Sequence, residues 1–284
     1  MNTSFKRILK MILLFLMFVV LFSSVILLTN FFKPKNNIDQ DNKNEFLFLM
    51  TGVDDNGEEF GTRTDTMMLV KANLNEKKID LISIPRDSLV NINGYMDKIN
   101  AAHSYGGIDL TIETVRDFLG IDLTNYVVIP FDAVVDGIDA LGGIDIDVSE
   151  DIASAMDITP GTHHFTGSEA LDYVRFRKGY ANADLGRIAT QQDFVMQFIH
   201  EATRAKNIPK LPIVYMSMND KIKTNMSFSQ MSKLALAFRG IDKDNINQVR
   251  LEGEVVDIDG ISYYDIYDYS IEDVRNNFLS NFSY

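Results

Sequence analysis

Hydrophobic and polar positions divide the chain into three stretches. Residues 11–28 read MILLFLMFVVLFSSVILL without a charged side chain, and the run continues through Thr29 and Asn30 to Phe32. About 20 apolar residues of helix cross a bilayer core, so 11–32 predicts one transmembrane helix. A cleaved signal peptide is the competing reading. Its apolar region is shorter and ends in small residues, whereas this run exits through LLTNFFKPKNN. An uncleaved signal anchor is therefore expected. Lys6, Arg7 and Lys10 precede the run; Lys33 and Lys35 follow it, offset by Asp39 and Asp41. That bias favours a cytoplasmic N-terminus over residues 1–10 and an extracellular body at the cell membrane. Residues 33–45 are polar and read as a linker.

From residue 46 to 284 strand-like and helix-like patterns alternate. Phe46–Thr51, Thr66–Ala72 and Ile79–Ile84 are short apolar runs and predict strands. Leu110–Leu119 places Ile112, Val115 and Leu119 on one helical face, with Gly120 closing it. Tyr126–Pro130 predicts a strand, Phe131–Leu141 a helix stopped by Gly142 and Gly143, and Ile144–Val148 a half-exposed strand. Asp184–Lys206 predicts a long amphipathic helix with Phe194 and Phe198 beside its apolar stripe. Phe228–Phe238 predicts another helix and Asn247–Leu251 a last strand; the Tyr- and Asp-rich end from Ile258 has no clear period. Such alternation favours helices on both faces of one sheet. With no internal repeat and no second linker, a single α/β domain over 46–284 is the simplest organisation.

Composition narrows the chemistry. The chain of 284 residues has 27 basic and 40 acidic side chains, a net charge of −13. Three of the basic residues lie before the membrane run, so the body is more acidic still. A general nucleic-acid binder needs a basic face, which this chain lacks. Cysteine is absent, which excludes disulfide scaffolds, thiolate metal sites and thiol catalysis. The four histidines, His103, His163, His164 and His200, have no metalloprotease spacing.

Arginine carries the remaining signal, because its planar fork suits phosphate and carboxylate. Six short motifs stand at expected segment ends. G-V-D-D (Gly52–Asp55) follows a strand and R-T-D-T (Arg63–Thr66) opens the next. Asp54 and Asp65 are thus delivered to neighbouring strand ends, where carboxylates either hold Mg²⁺ or cap turns. S-I-P-R-D-S (Ser83–Ser88) presents Arg86 beyond a strand stopped by Pro85; ligands of open α/β sheets bind there, although a surface pair of Arg86 with Asp87 is the alternative. D-K-I-N-A-A (Asp97–Ala102) sets Lys98 before a small-residue turn. In G-S-E-A-L-D-Y-V-R-F-R (Gly167–Arg177), an extended chain would point Tyr173, Arg175 and Arg177 one way, either around an anion or into salt bridges. D-L-G-R-I-A-T-Q-Q (Asp184–Gln192) offers Asp184 as an N-cap, with Arg187 and Gln191 on one face of a helix N-terminus that could receive phosphate.

In this order, behind a membrane run, the six motifs resemble the LytR-CpsA-Psr family from about Glu45 to Gln192, with a family-like ending over Leu251–Tyr264. The resemblance implies a three-layer α/β/α sandwich with a central mixed sheet behind one N-terminal transmembrane helix. It implies a phosphotransferase that moves an anionic glycopolymer (teichoic acid, capsule or secondary wall polysaccharide) from undecaprenyl pyrophosphate to peptidoglycan. It also implies residue roles: Asp54 and Asp65 as Mg²⁺ ligands; Arg63, Arg86, Lys98, Arg175, Arg177, Arg187 and Gln191 as pyrophosphate contacts; Asp184 as the acid that orients the arginines. Arg86, Asp54 and Asp65 are the expected catalytic residues. Thr190 departs from the family, which more often has arginine there. A hydrophobic pocket for the lipid is also implied, and the Phe194 and Phe198 stripe is a candidate wall. A polyprenyl-pyrophosphate hydrolase and a non-catalytic lipid-binding envelope regulator are the alternatives.

Overall fold

The computed structural model describes residues 44–53, 62–175, 194–195, 197–198, 200–202, 204, 206–218, 220–238 and 241–284. The membrane run at 11–32 lies outside them, as do Asp54, Arg177, Asp184, Arg187 and Gln191; Asp65 and Arg175 are described in backbone only. Among the described residues no helix is long and apolar enough to cross a membrane.

The body opens with β1 (Glu45–Val53), β2 (Thr64–Asn73) and β3 (Lys78–Ser83), followed by a hairpin of β4 (Leu89–Ile92) and β5 (Tyr95–Lys98). Helix α1 (Ala101–Leu119), β6 (Asn125–Pro130), α2 (Phe131–Leu141), β7 (Ile144–Val148), α3 (Glu150–Met156), β8 (Gly161–Phe165) and α4 (Gly167–Arg175) come next. Then follow α5 (Leu211–Met218), β9 (Lys223–Thr224), α6 (Phe228–Ala237), β10 (Ile246–Arg250), β11 (Gly253–Ile258), β12 (Ile261–Ile266) and α7 (Asp268–Asn277).

Six strands make one mixed sheet in the order β10-β3-β2-β1-β6-β9. β1 runs parallel to β6 and β10 parallel to β3, while β2 is antiparallel to both of its neighbours and β9 is antiparallel to β6. Strands β1, β3, β6 and β10 therefore share one direction. The continuous apolar runs have their cause here, since strands covered on both faces need apolar residues at every position. Leu47, Leu49, Met67, Leu69, Ile82 and Ile84 pack on one side with Val115 and Leu119 of α1 and Val274 of α7. Phe46, Met68, Val70, Ile79 and Leu81 pack on the other with Phe238, and Leu234 and Ala237 of α6 join them. A further cluster joins Ile138 of α2, Ile144 and Ile146 of β7, Ala153 of α3, Tyr173 of α4 and Phe194. The expected layering, helices on both faces of a mixed sheet, is present.

Helix α1 begins nine residues before the periodicity that predicts it, because a break interrupts it. Gly106 (φ −150°, ψ 24°) and Gly107 (φ 63°, ψ −155°) are non-helical and separate a first turn, ending at Tyr105, from the amphipathic part. Gly107 has the left-handed φ that residues with a Cβ rarely adopt.

One expected strand is a helix. Gly167–Arg175 forms α4, so Tyr173 and Arg175, two apart, do not share a face as they would in extended chain. The cause is the residue before the motif. Thr166 Oγ1 accepts from the backbone N–H of Glu169 (3.4 Å), and Glu169 Oε2 accepts from the backbone N–H of Thr166 (2.8 Å). This reciprocal capping starts a helix and prevails over the period-two alternation of Tyr173, Arg175 and Arg177. Asp184–Lys206 is described only in part: Phe194, Val195, Gln197, Phe198 and 200–202 are helical.

Candidate functional site

The common strand direction decides where the site residues collect. Val53 pairs with Pro130, and Ser83 pairs with Arg250, so β1, β3, β6 and β10 end at one rim of the sheet. Open α/β sheets bind ligands beyond the carboxyl ends of their parallel strands. Arg86 follows β3 at this rim, and Arg63 enters β2 there.

Arg86 sits in a tightly tied turn. Ser88 donates to the Pro85 carbonyl through its backbone N–H (3.0 Å) and its hydroxyl (2.5 Å). Asn100 N–H donates to the Arg86 carbonyl (3.2 Å), Ile99 N–H to the Ser88 carbonyl (2.8 Å), and Tyr264 N–H to the Asp87 carbonyl (2.9 Å). Two separate chain segments, Ile99–Asn100 and Tyr264, thus fix the backbone from Arg86 to Ser88. The side chains converge as well. Lys98 Nζ lies 2.9 Å from Asp87 Oδ1, and Arg86 Nε lies 3.6 Å from Asp87 Oδ2. Asp87 therefore joins two of the sequence-predicted phosphate contacts. The Arg86–Asp87 pair exists, but as part of a three-membered group. Lys98 Nζ also stands over the Tyr263 ring, 5.8 Å from its centroid.

Arg63 is exposed, next to Thr62, whose carbonyl accepts from His103 Nδ1 (2.9 Å). The structure thus brings Arg63, Arg86 and Lys98 to one rim. Arg175 ends α4, and its side chain, with those of Arg177, Arg187, Gln191 and Asp184, falls outside the description. Sequence reading missed Asp87 as the shared partner. It also missed Asn100, which is 4% exposed, with a side-chain oxygen that has no partner among the described residues. A buried acceptor without a donor is costly, and a ligand hydroxyl or water would relieve it. The K-I-N motif contained this residue, yet only its lysine was read.

The metal expectation falls on Asp54 and Asp65, where β1 leaves off and β2 begins. The β1–β2 register shifts between Gly52 and Val53: Gly52 pairs with Thr66 and Val53 with Thr64. Asp65 is the extra residue of this bulge, and Asp54 is the next residue after Val53. Bulges re-aim side chains next to active sites. Carboxylates are the hard oxygen donors Mg²⁺ prefers; Asp54 and the side chain of Asp65, on which that expectation falls, lie outside the described residues. Among the described residues no group of three His, Asp or Glu forms a metal cluster.

Phe194 is buried in the core with Tyr173, and its ring stacks on Phe198 at 6.2 Å between centroids. Beyond the stripe, Glu201 receives Arg204 (2.6 Å) and Lys206 (2.7 Å). Burial works against its charge, but these hydrogen bonds prevail and hold its carboxyl below the usual value.

A family model described as the LytR_cpsA_psr family matches residues 29–279. The polyisoprenyl-teichoic acid–peptidoglycan teichoic acid transferase TagU of Bacillus licheniformis is 30% identical over 247 residues, 85% of this chain and 79% of the relative. TagU of Halalkalibacterium halodurans is 33% identical over 222 residues, 77% of this chain and 73% of the relative. Among solved structures, that of B. subtilis TagV superposes with a TM-score of 0.73 at 28% identity, covering 84% of this chain and 97% of TagV. TagT bound to LI-WTA superposes with a TM-score of 0.72 at 28% identity, covering 88% of this chain and 95% of TagT.

Proposed function

The chain belongs to the LytR-CpsA-Psr family, and on that footing we propose that it transfers an anionic glycopolymer from an undecaprenyl-pyrophosphate carrier to peptidoglycan. The relatives named as teichoic acid transferases favour a teichoic acid as the polymer. The observation that carries the reading is the pairing of Arg86 and Lys98 on Asp87, at the rim where the parallel strands end.

An acceptor sugar hydroxyl attacks the phosphorus that bears the polymer. The bond from that phosphorus to the lipid phosphate breaks, undecaprenyl phosphate leaves, and a phosphodiester remains. Such a reaction asks the protein for in-line positioning and charge stabilisation more than for covalent participation. Arg86 and Lys98 face the charge that grows on the leaving phosphate, held in place by Asp87 so that little reorganisation is needed. Arg63, Arg175, Arg177, Arg187 and Gln191 complete the pyrophosphate contacts in this reading, with Asp184 orienting the arginines. Mg²⁺, held by Asp54 and Asp65, would supply neutralisation of the non-bridging oxygens. Asp54 or Asp65 accepts the proton of the attacking hydroxyl. Residues 11–32 anchor the chain in the membrane, with residues 1–10 cytoplasmic and the body outside, where carrier lipid and wall meet.

The test is product analysis with the full chain in detergent micelles, a short glycan on polyprenyl pyrophosphate, peptidoglycan oligomers and Mg²⁺. Polymer-linked peptidoglycan is expected. Free glycan phosphate instead would identify a hydrolase, and lipid binding with no product an envelope regulator.

A further inference from the structure

Beside the basic group lies a surface with no part in holding the pyrophosphate. Tyr95 is 80% exposed, Met96 57% and Tyr105 58%. Tyr105 Oη donates to Asp97 Oδ2 at 2.5 Å, and Asp97 Oδ1 accepts from the backbone N–H of Lys98 at 2.7 Å. Tyr95 and Asp97 are alternate residues of β5 and so share a face, about 7 Å apart along the strand. Two exposed rings therefore flank a carboxylate whose orientation is fixed from two sides. The patch is continuous with the site: Lys98, the next residue, is bound to Asp87, and Tyr105 interacts electrostatically with Arg63 and Tyr263.

The backbone is shaped to present these rings. Asn93 (φ 52°) and Gly94 (φ 93°) form the two-residue turn of the β4–β5 hairpin, a geometry that Asn-Gly favours. Tyr105 is the last residue before the Gly106–Gly107 break, so the first turn of α1 is oriented apart from the rest of the helix. Large apolar side chains left in water on so rigid a frame mark an interaction surface.

We propose that Tyr95, Asp97 and Tyr105 form the acceptor subsite, a platform for the amino-sugar chain of peptidoglycan. A pyranose has an apolar face of C–H groups that lies on an aromatic ring, and equatorial hydroxyls that donate to a fixed carboxylate. A ring seated there lies next to Lys98 and offers a hydroxyl toward the phosphate. A bilayer is a poorer occupant, because Asp97 would be carried into an apolar phase among the rings. The donor's anionic polymer is poorer too, because its phosphates would meet Asp97. The hydrogen bond to Asp97, then burial, raise the Tyr105 phenol above its ordinary value, so it remains a donor at neutral pH.

The identity of the acceptor rests on the transfer reading; the platform itself is tested apart from it. Binding of soluble, labelled peptidoglycan glycan oligomers to the full chain in micelles is measured by fluorescence anisotropy. Wild type is compared with the Tyr95→Ser/Tyr105→Ala double variant and with Tyr95→Ser alone, whose exposed side chain cannot carry the fold. The double variant should bind at least tenfold more weakly and the single variant several-fold, with unchanged melting. In the transfer assay the acceptor KM should rise by a like factor while the donor KM stays constant. Absence of binding by wild type, or equal binding by wild type and both variants, would overturn the platform. Tyrosine-dependent glycan binding by a chain that releases only free glycan phosphate would keep the platform and remove the ligase reading. Transfer with an unchanged acceptor KM in the double variant would do the reverse.

Discussion

Asp87 is where the two best-described cations of the site meet, and it sets the expectation for each. Arg86 lies at the rim, outside the buried apolar clusters, but its Nε is buried and faces Asp87, so Arg86→Ala should cost about 1–3 kcal/mol of stability and leave the fold intact. Its loss from transfer should be on the order of 10²–10³-fold in kcat, the usual effect of removing one preorganised donor from a transition state. Arg86→Lys should recover little, because an ammonium cannot reproduce the planar fork. Wild-type kinetics with Arg86→Ala would end the scheme. Chelation gives a separate check: EDTA should stop transfer and excess Mg²⁺ restore it, whereas chelator-resistant transfer would remove Asp54 and Asp65 from the metal role. Arg86 was legible in the sequence because Pro85 ends a strand just before it. Asp87 was not, since an Arg-Asp neighbour looks like any surface pair until Lys98 arrives from another strand. Asn100 was hidden for a related reason: burial is a property of the fold, and a lone asparagine in sequence carries none.

Elements were legible where one period ran unopposed. Phe131–Leu141 and Ile144–Val148 form with the bounds their patterns predict, and Gly120 takes the left-handed cap conformation expected of it, with φ 65°. Two hairpins are not legible, the first because β4 and β5 have four residues each and the second because the Tyr- and Asp-rich end has no clear period, although each carries its turn signal, Asn93-Gly94 and Asp259-Gly260, with positive φ at both positions. Gly167–Arg175 is a helix and not extended chain, because the residue that precedes it outweighs the alternation. Thr166 and Glu169 make the capping box, so Thr166→Ala should destabilise α4 by about 1 kcal/mol, or about 2–4 °C in melting temperature. The pH dependence has a definite sign. Both hydrogen bonds from Thr166, the backbone one first, hold the Glu169 carboxyl below its ordinary value of 4.5. The contribution is therefore full above that value and is lost as pH falls through the lower folded value. Melting followed between pH 7 and pH 3 should show Glu169→Gln and wild type converging at the acid end. Curves that stay parallel would place the start of α4 elsewhere.

At the scale of the molecule, an acidic body surrounds a locally basic rim. The net charge of −13 makes the folded state repel itself, while Arg63, Arg86 and Lys98 attract a pyrophosphate. Both effects are screened by salt over a Debye length of ~10 Å at 0.1 M, but they act in opposite senses. Screening the whole-molecule repulsion stabilises the compact state; screening the rim weakens donor capture. Raising NaCl from about 50 to 500 mM should therefore raise the melting temperature while raising the donor KM several-fold. The acceptor KM should change less, because the apolar face of a sugar ring on tyrosine rings carries no charge to screen. The direction of each response follows from where charge lies: spread over the surface for stability, concentrated at the strand ends for binding. A donor KM insensitive to salt would mean that the lipid tail dominates capture and the cations act only in the transition state. In that case Lys98→Met should lower kcat while leaving the donor KM unchanged, an outcome the same assay would record.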